Sequence, residues 1–328
     1  MAPTAFHRSL IPTRIKTLRL SFAGGEYARS GRHMPAKDEL GSICGHNGSE
    51  RGKGGNGRVE LRWGAATDIG RRRKRNEDAF LTAPAVFAVA DGMGGHQRGD
   101  VAAAIAIRSL ATLQEPPLLR SDLMDAIRLA DDAIVEYVAR NGGGPMGTTL
   151  CGLAVTNEGP TSSFLAFNVG DSRCYRIHGG DLEQISHDHS VVQELLDAGL
   201  IDASEAASHP ERNVVTRSLG SGEPIDIDWW QIDPTTGDRY LLCSDGLVRE
   251  VDLHQIADAL GRDEDPQATA EHLVDHALAA GGRDNITVVV VDVEHLEPGG
   301  DLDDETNPRR PVEAGLDDDT NPIPQVGP

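Results

Sequence analysis

The chain has 328 residues, 38% of them hydrophobic, which is enough for one large domain or two small ones. No window approaches the roughly 18 consecutive apolar residues that a spanning helix needs, so a membrane-spanning reading is excluded. The net charge of −21 is uneven: residues 1–59 carry +6, residues 60–295 carry −20 and residues 296–328 carry −7. A body this acidic repels nucleic-acid phosphate, and its carboxylates are either a repulsive soluble surface or a set that binds cations.

In chain order, residues 1–58 are rich in Gly, Arg, Ser and His and show no sustained hydrophobic period. They read as a disordered basic extension, possible also as a mis-assigned start ahead of Val59, with an organellar targeting signal the weaker reading. Regular structure is expected over 59–295. Apolar, β-branched stretches predict strands at Val86–Ala90, Thr148–Val155, Phe164–Val169, Tyr240–Ser244 and Ile286–Val291. Cys174–Ile177 and Leu182–Ile185 flank Gly179-Gly180-Asp181, a hairpin signal. Helical spacing appears at Val101–Leu113, Ser121–Ala139, Ser190–Ala198, Leu253–Leu260 and Pro266–Ala280, with Ser121 and Asp265 as expected caps. Strands in neighbouring pairs with helices grouped between them predict an α+β domain with antiparallel sheets.

Four widely spaced cysteines, Cys44, Cys151, Cys174 and Cys243, read as thiols of a reducing compartment, hence a cytoplasmic protein. Residues 296–328 form an acidic, Pro-containing tail in which Leu302-Asp-Asp-Glu-Thr-Asn-Pro308 returns as Leu316-Asp-Asp-Asp-Thr-Asn-Pro322. The tail reads as a disordered solubilising segment; Thr306 and Thr320, after three acids each, are the alternative docking sites for a phosphothreonine-binding partner.

The chemistry lies where apolar strands stop. Phe87-Ala-Val-Ala-Asp91-Gly92 and Tyr240-Leu-Leu-Cys-Ser-Asp245-Gly246 both end in Asp-Gly, Asn168-Val-Gly-Asp171 ends likewise, and Arg283-Asp284-Asn285 opens the last strand. A single Asp-Gly is often only a turn. Several such carboxylates on neighbouring strands would converge, and clustered carboxylates need shared protons or bound cations. All-oxygen ligation selects Mg²⁺ or Mn²⁺, and two such ions about 3.5–4 Å apart ionise a water and clamp phosphoryl oxygens. Upstream, five consecutive basic residues, Arg71 to Arg75, stand beside Glu77 and Asp78 and read as a phosphate hold rather than a nucleic-acid patch.

Eight motifs occur in order: T-D-x-G-x-x-R-x-x-N-E-D from Thr67, D-G-M-G-G-H from Asp91, G-T-T from Gly147, V-G-D-S-R from Val169, D-H-S from Asp188, R-x-L-G from Arg217, S-D-G-L from Ser244 and R-D-N-I-T from Arg283. Together they resemble the metal-dependent serine/threonine protein phosphatases (type 2C, the PPM family), bacterial branch, from about Ala65 to Val293. The resemblance implies two packed antiparallel sheets flanked by helices, an α/β/β/α sandwich with two metals at one end. It implies that Asp91 bridges Mn²⁺ or Mg²⁺ ions, that Asp245 and Asp284 complete one and the Gly92 carbonyl binds the other, and that Asp171 helps hold a third. Glu77 and Asp78 would hold metal-bound water or ligate directly, and Arg73 would grip substrate phosphate. A metal-bridging hydroxide would attack phosphoserine or phosphothreonine in line, with no phosphoenzyme and no cysteine nucleophile.

The implied partners are phosphorylated proteins and an opposing Ser/Thr kinase, with no nucleic acid and no membrane, the protein being a monomer. The pattern departs at Met93, where the animal-type branch has a His; His96, three residues on, is the alternative general acid, or a structural His in a Gly-rich turn. His187 and His189 fall in the turn before a helix, and His272 and His276 read as structural. Residues 190–220 resemble the flap of bacterial members. A non-catalytic phosphoprotein-binding relative is disfavoured because every metal carboxylate position is filled; a phosphoesterase for another substrate is the remaining alternative.

Overall fold

In a computed structural model of the chain, which describes residues 48–54, 57–94, 98–142, 144–156, 162–262 and 264–297, the strands that read as unbroken apolar runs are buried on both faces. One six-stranded sheet has the order β1 (Gly48–Gly54), β2 (Gly57–Asp68), β12 (Ile286–Glu297), β11 (Arg239–Cys243), β8 (Arg173–His178), β9 (Asp181–Gln184). The other runs β10 (Asp228–Ile232), β7 (Ser163–Val169), β6 (Leu150–Thr156), β4 (Val86–Met93), β3 (Asp78–Ala83), with the two-residue β5 (Gly147–Thr148) paired to the end of β4. Every pairing is antiparallel.

The two-residue period of a strand explains the layers. On β4, Phe87 and Val89 point between the sheets, against Trp63, Phe164, Tyr240, Val289 and Val291. Val86, Ala88 and Ala90 point the other way, onto Ile107 of α1 (Gly99–Leu110) and Leu123 and Ile127 of α2 (Arg120–Asn141). On β12, Val288 and Val290 face Ile256 of α6 (Leu253–Leu260) and Leu273 and Ala277 of α7 (Pro266–Ala280). The result is the expected α/β/β/α sandwich. Each fully buried Val, Leu or Phe stabilises it by about 1.5–3 kcal/mol. Between the sheets Phe164 meets Tyr240 edge-on at 5.3 Å, and Trp63 meets Phe87 at 5.4 Å. Two short helices, α3 (Val191–Asp197) and α4 (Ala203–Ser208), bury none of their residues, whereas the short α5 (Asp245–Val248) sinks Leu247 into the cluster beneath β12.

Local chemistry agrees with most boundaries. Gly179 and Gly180, with φ of 60° and 97°, make the tight β8–β9 hairpin. Asp265 caps α7 by accepting from Gln267 N at 2.9 Å, with Pro266 next in the chain. Ser121 is not a cap. The N-cap of α2 is Leu119, whose N–H donates to Asp122 Oδ2 at 2.9 Å; Ser121 lies inside the first turn, because Asp122 reaches back and satisfies the end from the helix side. β1 and the first residues of β2 fall within residues 1–58, where no regular structure is expected; β1 pairs with β2 from Gly48↔Trp63 to Gly54↔Gly57. Residues 1–47 and 298–328, with Cys44, Thr306 and Thr320, lie outside the described residues. Among the described residues no helix is long and apolar enough to cross a membrane.

Candidate active site

Five carboxylates meet at one end of the sandwich because antiparallel neighbours bring their strand ends into line. Asp78, first in β3, is directly opposite Asp91 of β4. β11 ends where β12 begins, so Asp245, just past β11, stands near Asp284, two residues before β12. Asp171 follows β7 by two residues.

The carboxylates strain against one another. Burial, then the fields of Asp78, Asp245, Asp171 and Asp284, push Asp91 well above the usual carboxylate range. Burial raises Asp78 to about 6, although hydroxyl hydrogen bonds and one shared with Asp91 pull the other way. Asp245 rises through burial and Asp171, and Asp171 through burial, each moderated by Arg249. Glu77 is raised by burial and by Asp100, with Arg73 opposing.

Specific partners hold Asp78. Its Oδ2 accepts from Ser244 Oγ at 2.8 Å and from Thr287 Oγ1 at 2.7 Å, while its Oδ1 is buried without a hydrogen-bond partner among the described residues. Asp245 Oδ1 is in the same condition. Buried carboxylate oxygens without donors are costly unless something positive meets them.

Arginines meet part of this need. Arg73 Nη2 donates to Asp284 Oδ2 at 2.6 Å, with Asp284 Oδ1 accepting from Asn285 N at 2.8 Å. Arg249, one turn after Asp245, pairs with it and reaches Asp284 at 3.5 Å and Asp171 at 3.7 Å. No sequence motif points to Arg249; the only signal is its four-residue offset from Asp245 on a short helix. Among the described residues no three His, Cys, Asp or Glu side chains form a ready-made metal cage. The donor set still fits a hard divalent cation: all its members are oxygens, two of them are buried without donors, and their mutual repulsion falls when positive charge enters.

Backbone packing explains the Asp-Gly signature. A Cβ on Gly92 would strike the carbonyls of Gly99 and Glu77, and one on Gly246 the carbonyl of Asn285. Gly92 N also donates to Glu77 O at 3.1 Å, so the β4 end is tied to the turn that carries Glu77. A cleft of about 630 Å³ opens over Arg73, Asp171, Asp245 and Asp284, with Leu196 of α3 and Ala207 of α4 on its other wall.

Other candidates take structural places. His189 Nδ1 accepts from Gly170 N at 3.1 Å, its Nε2 lies 3.2 Å from Asp228 Oδ2, and burial lowers its proton affinity, so it braces a turn. Asp188 holds Arg173 through three hydrogen bonds of 2.7–3.0 Å. His272 and His276 stack at 4.7 Å, with His272 Nε2 3.2 Å from Arg262. Cys151, Cys174 and Cys243 are free and buried, and burial pushes the Cys243 thiol up to about 12. Met93 ends β4, and His96 lies outside the described residues.

Residues 70–280 match the family model described as "Protein phosphatase 2C". The chain is 37% identical over 273 residues to the serine/threonine protein phosphatase PstP of Mycobacterium tuberculosis, covering 81% of this chain and 50% of that protein, so it spans half that relative's length. It is 36% identical over 251 residues to the serine/threonine phosphatase stp of Listeria welshimeri, covering 72% of this chain and 97% of that protein. Among solved structures, the catalytic domain of PstP in complex with two manganese ions superposes with a TM-score of 0.65 at 37% identity, covering 72% of this chain and 99% of that one.

Proposed function

The chain belongs to the protein phosphatase 2C family, and from that premise we propose that it hydrolyses phosphoserine and phosphothreonine in proteins, reversing the action of a Ser/Thr kinase. The observation that carries the reading is the convergence of Asp78, Asp91, Asp171, Asp245 and Asp284 at one end of the sandwich beside Arg73. Asp91, Asp245, Asp284 and the Gly92 carbonyl would hold two Mn²⁺ or Mg²⁺ ions, with Asp171 helping to hold a third; the PstP catalytic domain carries two manganese ions. Bound there, the cations supply a water ionised near neutral pH and positive charge for phosphoryl oxygens.

The chain's own residues do the rest. Arg73, half-exposed and already in a charge-assisted hydrogen bond with a carboxylate oxygen, is placed to exchange that oxygen for one of a substrate phosphate. Ser244 and Thr287 fix the rotamer of Asp78, and Glu77 and Asp78 would hold metal-bound water or ligate directly. Cys151, Cys174 and Cys243 are buried with raised pKa, which leaves no thiolate nucleophile among them. His96, outside the described residues, would be one proton donor for the leaving alkoxide, and a metal-bound water the other.

The test is hydrolysis of para-nitrophenyl phosphate and of a phosphothreonine peptide with Mn²⁺, with Mg²⁺ and with chelator, beside an Asp245→Asn variant. Metal-dependent turnover of both that collapses in the variant is expected. Absence of turnover with metal bound would instead favour a phosphoprotein-binding module. We further place the protein in the cytoplasm as a monomer, consistent with its free core thiols, with Thr306 and Thr320 recruiting a phosphothreonine-binding partner once phosphorylated. Light scattering tests the monomer, intact mass after kinase treatment tests phosphorylation of the two threonines, and cell fractionation tests the location.

A further inference from the structure

Between residues 60 and 295 there are 19 Lys and Arg against 39 Asp and Glu, and five of those 19 are consecutive, Arg71 to Arg75. Adjacent like charges repel, and the body around them is rich in carboxylates able to relieve the repulsion. Yet Arg72, Lys74 and Arg75 are exposed and make no ion pair within 4 Å among the described residues, the charge of Arg75 reaching Glu77 only from a distance. Only Arg73 turns into the cleft, to Asp284.

The segment is held rigidly. Gly70 has φ 75°, its N–H donates to Asp68 Oδ1 at 2.7 Å, and the Asp284 carbonyl lies where a Cβ would stand. Arg71 N donates to Gly282 O at 2.6 Å and Arg71 Nε to Leu278 O at 2.8 Å. Asn285 Nδ2 then closes both ends, donating to Ile69 O at 3.0 Å and to Arg75 O at 2.8 Å. A loop pinned at these points has little conformational freedom left to lose when it binds something. Its three exposed cations flank the arginine that faces the cleft.

We propose that Arg72, Lys74 and Arg75 form a rigid basic platform that docks negative charge on either side of the phosphoresidue, so that the preferred substrates are phosphoproteins with acidic or additional phosphorylated residues next to the scissile phosphate. This rests on the phosphatase reading and names the substrate class of that same site. Carboxylate and phosphate share the chemistry the platform recognises, fork or point contacts from guanidinium and ammonium to anionic oxygen. The acidic body works in the same direction: its net negative charge repels an acidic substrate, so a run of five consecutive cations favours approach through this loop. A nucleic acid, with one charge on every phosphate, would meet that repulsion along its whole length.

The experiment compares three phosphothreonine peptides of equal length, flanked by Asp/Glu, by a second phosphothreonine, or by Ala/Gln, with para-nitrophenyl phosphate as a substrate that has no flanks. The proteins are the full chain and a variant carrying Arg72→Gln, Lys74→Gln and Arg75→Gln, assayed with Mn²⁺. The expected result is a kcat/KM about tenfold higher for either anionic peptide than for the neutral one at low salt, shrinking as salt rises. In the variant the ratio, with each rate normalised to para-nitrophenyl phosphate turnover by the same protein, falls to about one through KM. Whichever anionic peptide gains more identifies carboxylate or phosphate as the source.

Equal rates on all three peptides, or a preference that survives in the variant, overturns the platform while leaving the phosphatase reading intact. If no substrate turns over, the phosphatase reading fails instead. Fluorescence anisotropy of the same peptides then still decides the platform by whether acidic binding is lost in the variant. Anisotropy with a single-stranded oligonucleotide that tracks the loop, alongside no peptide preference, overturns it in favour of nucleic acid.

Discussion

Asp78 and Asp91, opposite one another on β3 and β4, both hold their protons more tightly than free carboxyls because burial disfavours the charge; the field of Asp78 pushes Asp91 further, and that of Asp284 pushes Asp78, against the hydrogen bond that Asp78 shares with Asp91. A carboxyl whose pKa rises on folding contributes stability that is fully present below its unfolded value and is lost as pH climbs through the folded value, about 6 for Asp78. In chelator, these groups therefore cost the protein stability as pH rises from about 4 to about 7. Asp91→Asn removes one of the two charges, so in chelator it should raise stability near pH 7.5, and the gap should close near pH 4. Adding Mn²⁺ should reverse the order, stabilising the parent and not the variant. Thermal unfolding of both proteins at the two pH values, with EDTA and with Mn²⁺, checks this. An equal loss of stability in the variant at both pH values would show that the carboxylates are not in conflict. The carboxylates themselves were legible, since Asp91 and Asp245 each stand before Gly where an apolar run stops, and Asp284 stands before Asn where one starts. Their supports were not: Ser244 and Thr287 reach Asp78 across 166 and 209 residues of chain, a separation no local pattern encodes.

At the scale of elements, β4, β11 and β12 were legible because both of their faces are buried and their sequences are unbroken apolar runs. β2, with Arg62 and two alanines among its residues, and β10, with Asp228 and Gln231, lack that signal; α5 has four residues, too few for a helical period. What joins these elements at the site is Asn285. Its Oδ1 accepts from Glu77 N at 2.9 Å, and its Nδ2 ties Ile69 O and Arg75 O. Asn285→Ala removes all three bonds and leaves backbone groups of a part-buried turn without partners, a loss of about 2–3 kcal/mol. Because the loop so released carries Arg73, the variant should also raise KM for para-nitrophenyl phosphate more than it lowers kcat. Denaturant melts and steady-state kinetics on one preparation separate the two effects. A stability loss with KM unchanged would mean that Arg73 does not depend on this anchor.

For the whole molecule, the three apolar clusters that hold the layers together draw their members from between Val59 and Val293. A periodic sequence pattern arises over such a range because it is itself the record of which side chains are buried. It leaves out β1, whose backbone pairs along the outer edge of β2 over seven register positions without a side-chain pattern to announce it. An uncovered β2 edge would present a row of open N–H and C=O groups to other chains. A fragment of residues 48–297 should therefore unfold in a single cooperative transition within about 2 °C of the full chain, since it keeps every cluster. A fragment of residues 59–297 keeps the same clusters but opens that edge. It should melt several degrees lower and aggregate more readily with rising concentration, which light scattering during the melt reads directly. If the two fragments melt and scatter alike, β1 contributes nothing to the sheet and the functional domain begins at β2. If only the longer fragment stays monodisperse, the sheet edge, and not the apolar core, sets where the domain starts.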